Sequence, residues 1–166
     1  MILDSRYLQK LKSTSETDIL DVVKIIRNEG QAEYLPDLIN LLATTQHSSV
    51  KHAIENLFYD LHDQSAAAAI INLIAQTTDE KIKQILVSTC WQSRLNFKND
   101  IQIFVDLVLF DSYLIAIEAF SVIENIFDDL TSDNRKKIAI FVKSKMSNIE
   151  QEKKALIAEL LHLLEQ

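Results

Sequence analysis

A single glycine and a single proline, Gly30 and Pro36, stand in a chain of 166 residues. Average usage would place about 12 glycines and 8 prolines in that length. Tight hairpins, phosphate-cradling loops and nucleophile elbows need glycine at positive φ or at close backbone approach. Gly30 alone therefore excludes a dinucleotide fingerprint, a P-loop and a fold built of many hairpins. With 48% hydrophobic and 25% charged residues, the composition is that of a globular chain and not a disordered one. What remains is an all-α protein.

The length fits one domain, 1–166, able to bury roughly 70% of its unfolded surface. Cys90 is the only cysteine, which excludes an intrachain disulfide and a cysteine-based zinc cluster. The opening residues, MILDSRYLQK, lack the apolar run of a signal peptide. The most apolar stretches, 66–75 and 101–110, contain Asn72 or Asp106 and are about half a membrane span. The expectation is a cytoplasmic chain with no membrane contact.

The net charge of −7 is unevenly spread. Between Lys98 and Arg135 there is no basic residue, yet Asp100, Asp106, Asp111, Glu118, Glu124, Asp128, Asp129 and Asp133 all fall there. Residues 135–166 hold seven bases against four acids, a balance of +3. Nucleic-acid affinity comes from neutralised phosphates, so an acidic chain argues against a DNA or RNA partner.

Apolar spacing predicts helices over 4–12, 16–29, 35–44, 48–62, 65–76, 79–94, 99–110, 112–128, 132–146 and 149–165. Ser15, Ser65, Thr78, Asp111 and Thr131 are the expected caps. Connections are short, which favours antiparallel neighbours. Laying one helix pair on the next exposes a period. Leu38-Ile39-Asn40-Leu41-Leu42 returns 32 residues on as Ile70-Ile71-Asn72-Leu73-Ile74, and Phe104-Val105-Asp106-Leu107-Val108 follows after another 34. The second helices align as well, Val50-Lys51-His52-Ala53 with Ile82-Lys83-Gln84-Ile85 and Ala116-Ile117-Glu118-Ala119. Such a period in a helical chain predicts stacked hairpins, an α-α superhelix or solenoid. About five antiparallel hairpins are expected, over 1–30, 31–63, 64–96, 97–130 and 131–166.

Leu35-Pro36, Leu38, Leu41-Leu42, Val50-Lys51, Ala53 and Leu57 resemble a HEAT repeat of the armadillo-like class, in its short bacterial-type form. The resemblance is best over 31–63 and weakens toward both ends. Where the family often carries an Arg in the second helix, this chain has Lys51 or Lys83. The fixed Trp, Gly, Tyr and Pro positions of tetratricopeptide repeats and the ankyrin turn are missing. Gly30 then falls at a helix C-terminus, and Pro36 falls where HEAT-like first helices tolerate one.

The resemblance implies that the second helix of each pair lines a concave surface where ligands lie. On helix 48–62 the apolar arc is Val50, Ala53, Ile54, Leu57, Phe58 and Leu61, and His52, Glu55, Tyr59 and His62 fall opposite. The matching stripes are Gln84, Val87, Trp91 and Arg94, then Glu118, Ser121, Asn125 and Asp128. Tyr59 and Trp91 occupy equivalent places, and paired aromatic rings are frequent binding anchors. A protein or peptide partner is the expectation, held by a non-catalytic scaffold. Cys90 is expected to be a small buried hydrophobe.

Enzyme chemistry finds little support in the residues. His52, Glu55, His62 and Asp63 are the best metal constellation, but they come from one predicted helix and the residue after it, so no metal or other cofactor is expected. Tyr59, Trp91 and Arg94 resemble the concave face of HEAT-like alkylpurine DNA glycosylases, yet the acidic third stripe would repel phosphate. That reading and a metal-dependent enzyme are remote alternatives. A nearer one is a structural homo-oligomer. Helix 149–165 is apolar around most of its circumference, and Leu156, Ile157, Leu160, Leu161 and Leu164 are the expected homodimer surface.

Overall fold

The computed structural model describes residues 5–29 and 32–166. The described residues contain helices and no strand. Contacts divide the chain into two compact units, Met1–Leu95 and Asn96–Gln166. That division falls beside the boundary expected between the third and fourth repeats. Gly30, and with it the expected glycine cap, lies outside the described residues.

The first unit contains α1 (Ser5–Leu11), α2 (Glu16–Glu29), α3 (Leu35–Thr44), α4 (Ser48–Tyr59), α5 (Ala66–Gln76) and α6 (Glu80–Gln92). Each forms because its apolar residues recur at helical spacing. In α2 the buried set is Ile19, Val22, Val23 and Ile26, and in α3 it is Leu35, Leu38, Ile39 and Leu42. Pro36 sits in the first turn of α3, where its missing N–H leaves no helical bond unmade. Neighbours are α1 with α3 and α3 with α5, and α2 with α4 and α4 with α6.

Bonds between the second helices carry a constant offset. Glu16 accepts from the Ser49 hydroxyl, and Arg27 pairs with Asp60. The Arg94 amide donates to the Leu61 carbonyl at 2.9 Å. Each of these pairs spans 33 residues, inside the period of 32–34 read from the sequence. The Glu16–Ser49 and Arg27–Asp60 pairs mark the two ends of α2 and α4, so these helices run parallel. Energetically the ion pair is minor: both side chains are about half exposed, and such pairs contribute about 1 kcal/mol or less. Burial of the apolar arcs does the larger share.

Two helices end earlier than the apolar pattern suggested. Helix α4 stops at Tyr59 rather than 62, and α6 at Gln92 rather than 94. The Arg94 amide bonds the Leu61 carbonyl of the preceding loop instead of continuing the α6 ladder. Capping follows expectation at Ser15 and Thr131, whose hydroxyls accept from Asp18 N and Asn134 N. At α6 the cap is Asp79, accepting from Ile82 N at 3.0 Å, and not Thr78. Ser65 makes no side-chain cap; its own amide donates to Asp63. Asp111 likewise turns its carboxylate to the Ser112 amide.

The second unit contains α7 (Ile101–Phe110), α8 (Tyr113–Ile126), α9 (Ser132–Lys145) and α10 (Lys154–Leu164). Short 3₁₀ turns at Lys98–Asp100, Phe127–Asp129, Met146–Asn148 and Gln151–Lys153 replace the α-helical ends expected there. Helices α7 and α8 form the most extensive pair, α7 also meets α9, and α10 meets α8 and α9. Asn96 donates to Asp129 at 2.8 Å, again across 33 residues. Phe104, Val105 and Val108 of α7 and Ile115, Val122 and Ile123 of α8 are almost fully buried.

Of the five residues expected to form a homodimer surface on α10, three face inward. Ile157, Leu160 and Leu164 are buried within the chain itself, and Leu156 and Leu161 are half-buried. The apolar arc of the helix is covered because α8 and α9 both pack on it. No helix among the described residues is long and apolar enough to cross a membrane.

Candidate functional site

Helices α4 and α6 pack against each other in the first unit, and their outward arcs define the candidate face. On α4 the expected arc Val50, Ile54, Leu57, Phe58 and the following Leu61 is buried, with Ala53 half-buried. His52 is left exposed, and Glu55 and Tyr59 are half-buried.

Helix α6 departs from expectation. Val87, placed on the polar stripe by its offset from Glu55, is fully buried. So are Leu86, Thr89 and Cys90, and Ser88 is 5% exposed. The reason is crowding, since α3, α4 and α5 all contact α6 and cover more of its circumference than one row of neighbours would. Its buried hydroxyls are satisfied inside the helix. Ser88 and Thr89 both donate to the Ile85 carbonyl, at 2.9 and 2.8 Å. The lone thiol also turns inward, Cys90 Sγ lying 3.4 Å from the Leu86 carbonyl.

Gln84, Ser88 and Trp91 share one side of α6, at a spacing of i, i+4 and i+7, with Ser88 buried between the other two. Ser88 was missed in the sequence, although its distance from both Gln84 and Trp91 places it on their side. It is the residue that ties the two helices together. Tyr59 Oη stands 3.4 Å from Ser88 Oγ. One turn further along, Trp91 is 39% exposed. Tyr59 is thus fixed by a partner at its tip, whereas Trp91 offers an apolar surface to solvent.

His62 and Arg94 do not lie on these helices. Both are exposed in the loops that follow α4 and α6, and the Arg94 amide bonds the carbonyl of Leu61, next to His62. His62 Nδ1 is 3.2 Å from the Asp60 carbonyl. Asp63 accepts from the Ser65 amide at 3.0 Å. That amide first, then the Ser65 hydroxyl and the neighbouring His62, holds the Asp63 carboxyl below its ordinary value, against a smaller opposing effect of desolvation. The four residues His52, Glu55, His62 and Asp63 do not converge. Among the described residues no three His, Cys, Asp or Glu side chains form a group that could hold a metal ion.

Glu118, Ser121 and Asn125 lie on α8, and Asp128 in the turn after it, all within the second unit. Glu118 and Ser121 are half-buried, and Asn125 and Asp128 are exposed. The second unit also contains a groove of about 470 Å³, bounded by Arg135, Lys136, Ala139, Ile140 and Lys143 of α9 and by Leu164–Gln166. No sequence pattern singled it out, because it depends on how α9 and the end of α10 meet.

Comparison of the chain with family models, curated proteins and solved structures gives no match.

Proposed function

We propose that the chain is a non-catalytic protein- or peptide-binding module of HEAT-like solenoid type, acting in the cytoplasm. The observation that carries this reading is Trp91, 39% exposed on α6, one helical turn from the Ser88 that meets Tyr59 of the neighbouring α4. A rigid aromatic platform on two packed helices captures a segment with little loss of its own freedom. Trp and Tyr combine large apolar area with a polar atom, which suits an extended or helical peptide. His52, Glu55 and Gln84 flank the rings and supply polar contacts. The 33-residue offset of the cross-links supports the repeat interpretation.

Trp91 is the only tryptophan in the chain, so its fluorescence reports on this face alone. Peptides selected from a random library on the immobilised protein should shift or quench that emission saturably. Trp91→Ala should abolish their capture while helical circular dichroism is retained. Selected peptides that leave the emission unchanged and bind Trp91→Ala equally well would sink the proposal.

A further inference from the structure

The second unit carries two exposed apolar surfaces of opposite electrostatic surroundings. One is the α7–α8 corner. Phe110 is 62% exposed and Leu114 54%, with Tyr113 and Ile117 also exposed. Tyr113, Leu114 and Ile117 follow helical spacing, and Phe110 closes the preceding helix, so the four form one ridge. Asp106, Asp111 and Glu118 are the acids nearest to it in sequence, and the buried ammonium of Lys153 lies under the same turn, against the Leu109 and Asp111 carbonyls. Asp106 lies one turn before Phe110, and Glu118 one turn after Leu114.

The other is the groove of about 470 Å³ on α9. Ile140, 69% exposed, stands in its wall. Arg135, Lys136 and Lys143 surround it, and Glu165 pairs with Lys143 at 2.5 Å. The Arg135 guanidinium is already positioned. It lies 4.2 Å from the Phe127 ring centroid, and its Nε donates to the Leu130 carbonyl at 3.2 Å.

We infer that the acidic α7–α8 ridge of one copy of this chain docks in the basic α9 groove of a second copy. Each surface alone is self-repelling: ridge on ridge opposes Asp106 and Glu118 with their like, and groove on groove opposes lysines. Ridge in groove is the pairing that buries apolar area and matches charge together. The contact is heterologous, since different patches meet, and it extends from copy to copy unless the rotation closes a ring. One groove and four side chains make a small interface of the transient class. Association is therefore reversible, concentration-dependent and weakened by salt.

Light scattering and sedimentation velocity on the full chain test this from micromolar to submillimolar concentration. Leu114→Asp disables the ridge and Ile140→Asp the groove, both at positions exposed enough to leave the fold intact, as helical circular dichroism will verify. The wild-type average mass should rise with concentration and fall on adding salt. Each variant alone should remain monomeric, and Lys136→Glu should weaken wild-type association several-fold. An equimolar mixture of Leu114→Asp and Ile140→Asp should form a one-to-one dimer that grows no further, because each retains the surface the other lacks. A monomeric wild type across the range, or a mixture that stays monomeric, would overturn the inference. So would either variant alone associating like the wild type, which is the signature of an isologous dimer.

Discussion

The ammonium group of Lys153 lies 2.8 Å from the carbonyl oxygen of Leu109 and at the same distance from that of Asp111. Lys153 is 2% exposed. Its charge is placed at the C-terminal end of α7, where carbonyls lack helical partners and the helix dipole is negative. The residue thereby fastens the segment leading into α10 to the turn between α7 and α8.

Replacing Lys153 by Met keeps the stem and removes both charge-assisted bonds. Hydrogen bonds to charged groups are worth about 1.5–3 kcal/mol, and the two carbonyls would stay partly buried. The expected loss on Lys153→Met is about 2–3 kcal/mol by urea denaturation. Lys154→Met is the control. Its side chain is exposed, and the change should stay within about 0.5 kcal/mol.

Helix α6 offers a test of which side is covered. Val87 has no exposed surface, whereas Gln84, three residues before it, is half-buried. Val87→Ala should cost about 2 kcal/mol through lost packing and the cavity left behind. Gln84→Ala should cost less than about 1 kcal/mol. Equal effects in thermal or chemical melts would show that the packing of α3, α4 and α5 around α6 is misassigned.

Asp63 predicts a pH response with a definite sign. Its folded carboxyl is held below the ordinary 3.8 by the Ser65 amide, then by the Ser65 hydroxyl and His62. A group depressed in the folded state contributes its stabilisation above the unfolded pKa and loses it as pH falls through the folded one. An NMR titration should therefore place the Asp63 midpoint below 3.8. Ser65→Ala removes only the hydroxyl and should move the midpoint part of the way back up.

Much of this architecture was legible in local pattern. The i, i+3, i+4 spacing of Ile19, Val22, Val23 and Ile26 is enough to specify α2 and its inward arc. Pairs such as Leu61–Arg94 and Asn96–Asp129 are separated by 33 residues, close to the period of 32–34 in the apolar pattern. The buried thiol of Cys90 was also within reach of helical geometry.

What local pattern could not supply is the number of neighbours a helix acquires. Val87 and Ser88 are adjacent, and no propensity says that three helices will cover α6 and draw both inward. The apolar circumference of α10 read as an outer surface until α8 and α9 were seen to bury Ile157, Leu160 and Leu164. His62 and Arg94 lie past the ends of α4 at Tyr59 and α6 at Gln92, where a backbone bond joins Leu61 and Arg94 across 33 residues. Helical periodicity is a property of a few consecutive residues, so one chain segment carries it. Burial and loop bonding depend on groups far apart in sequence, and only their assembly in space determines which arc is hidden.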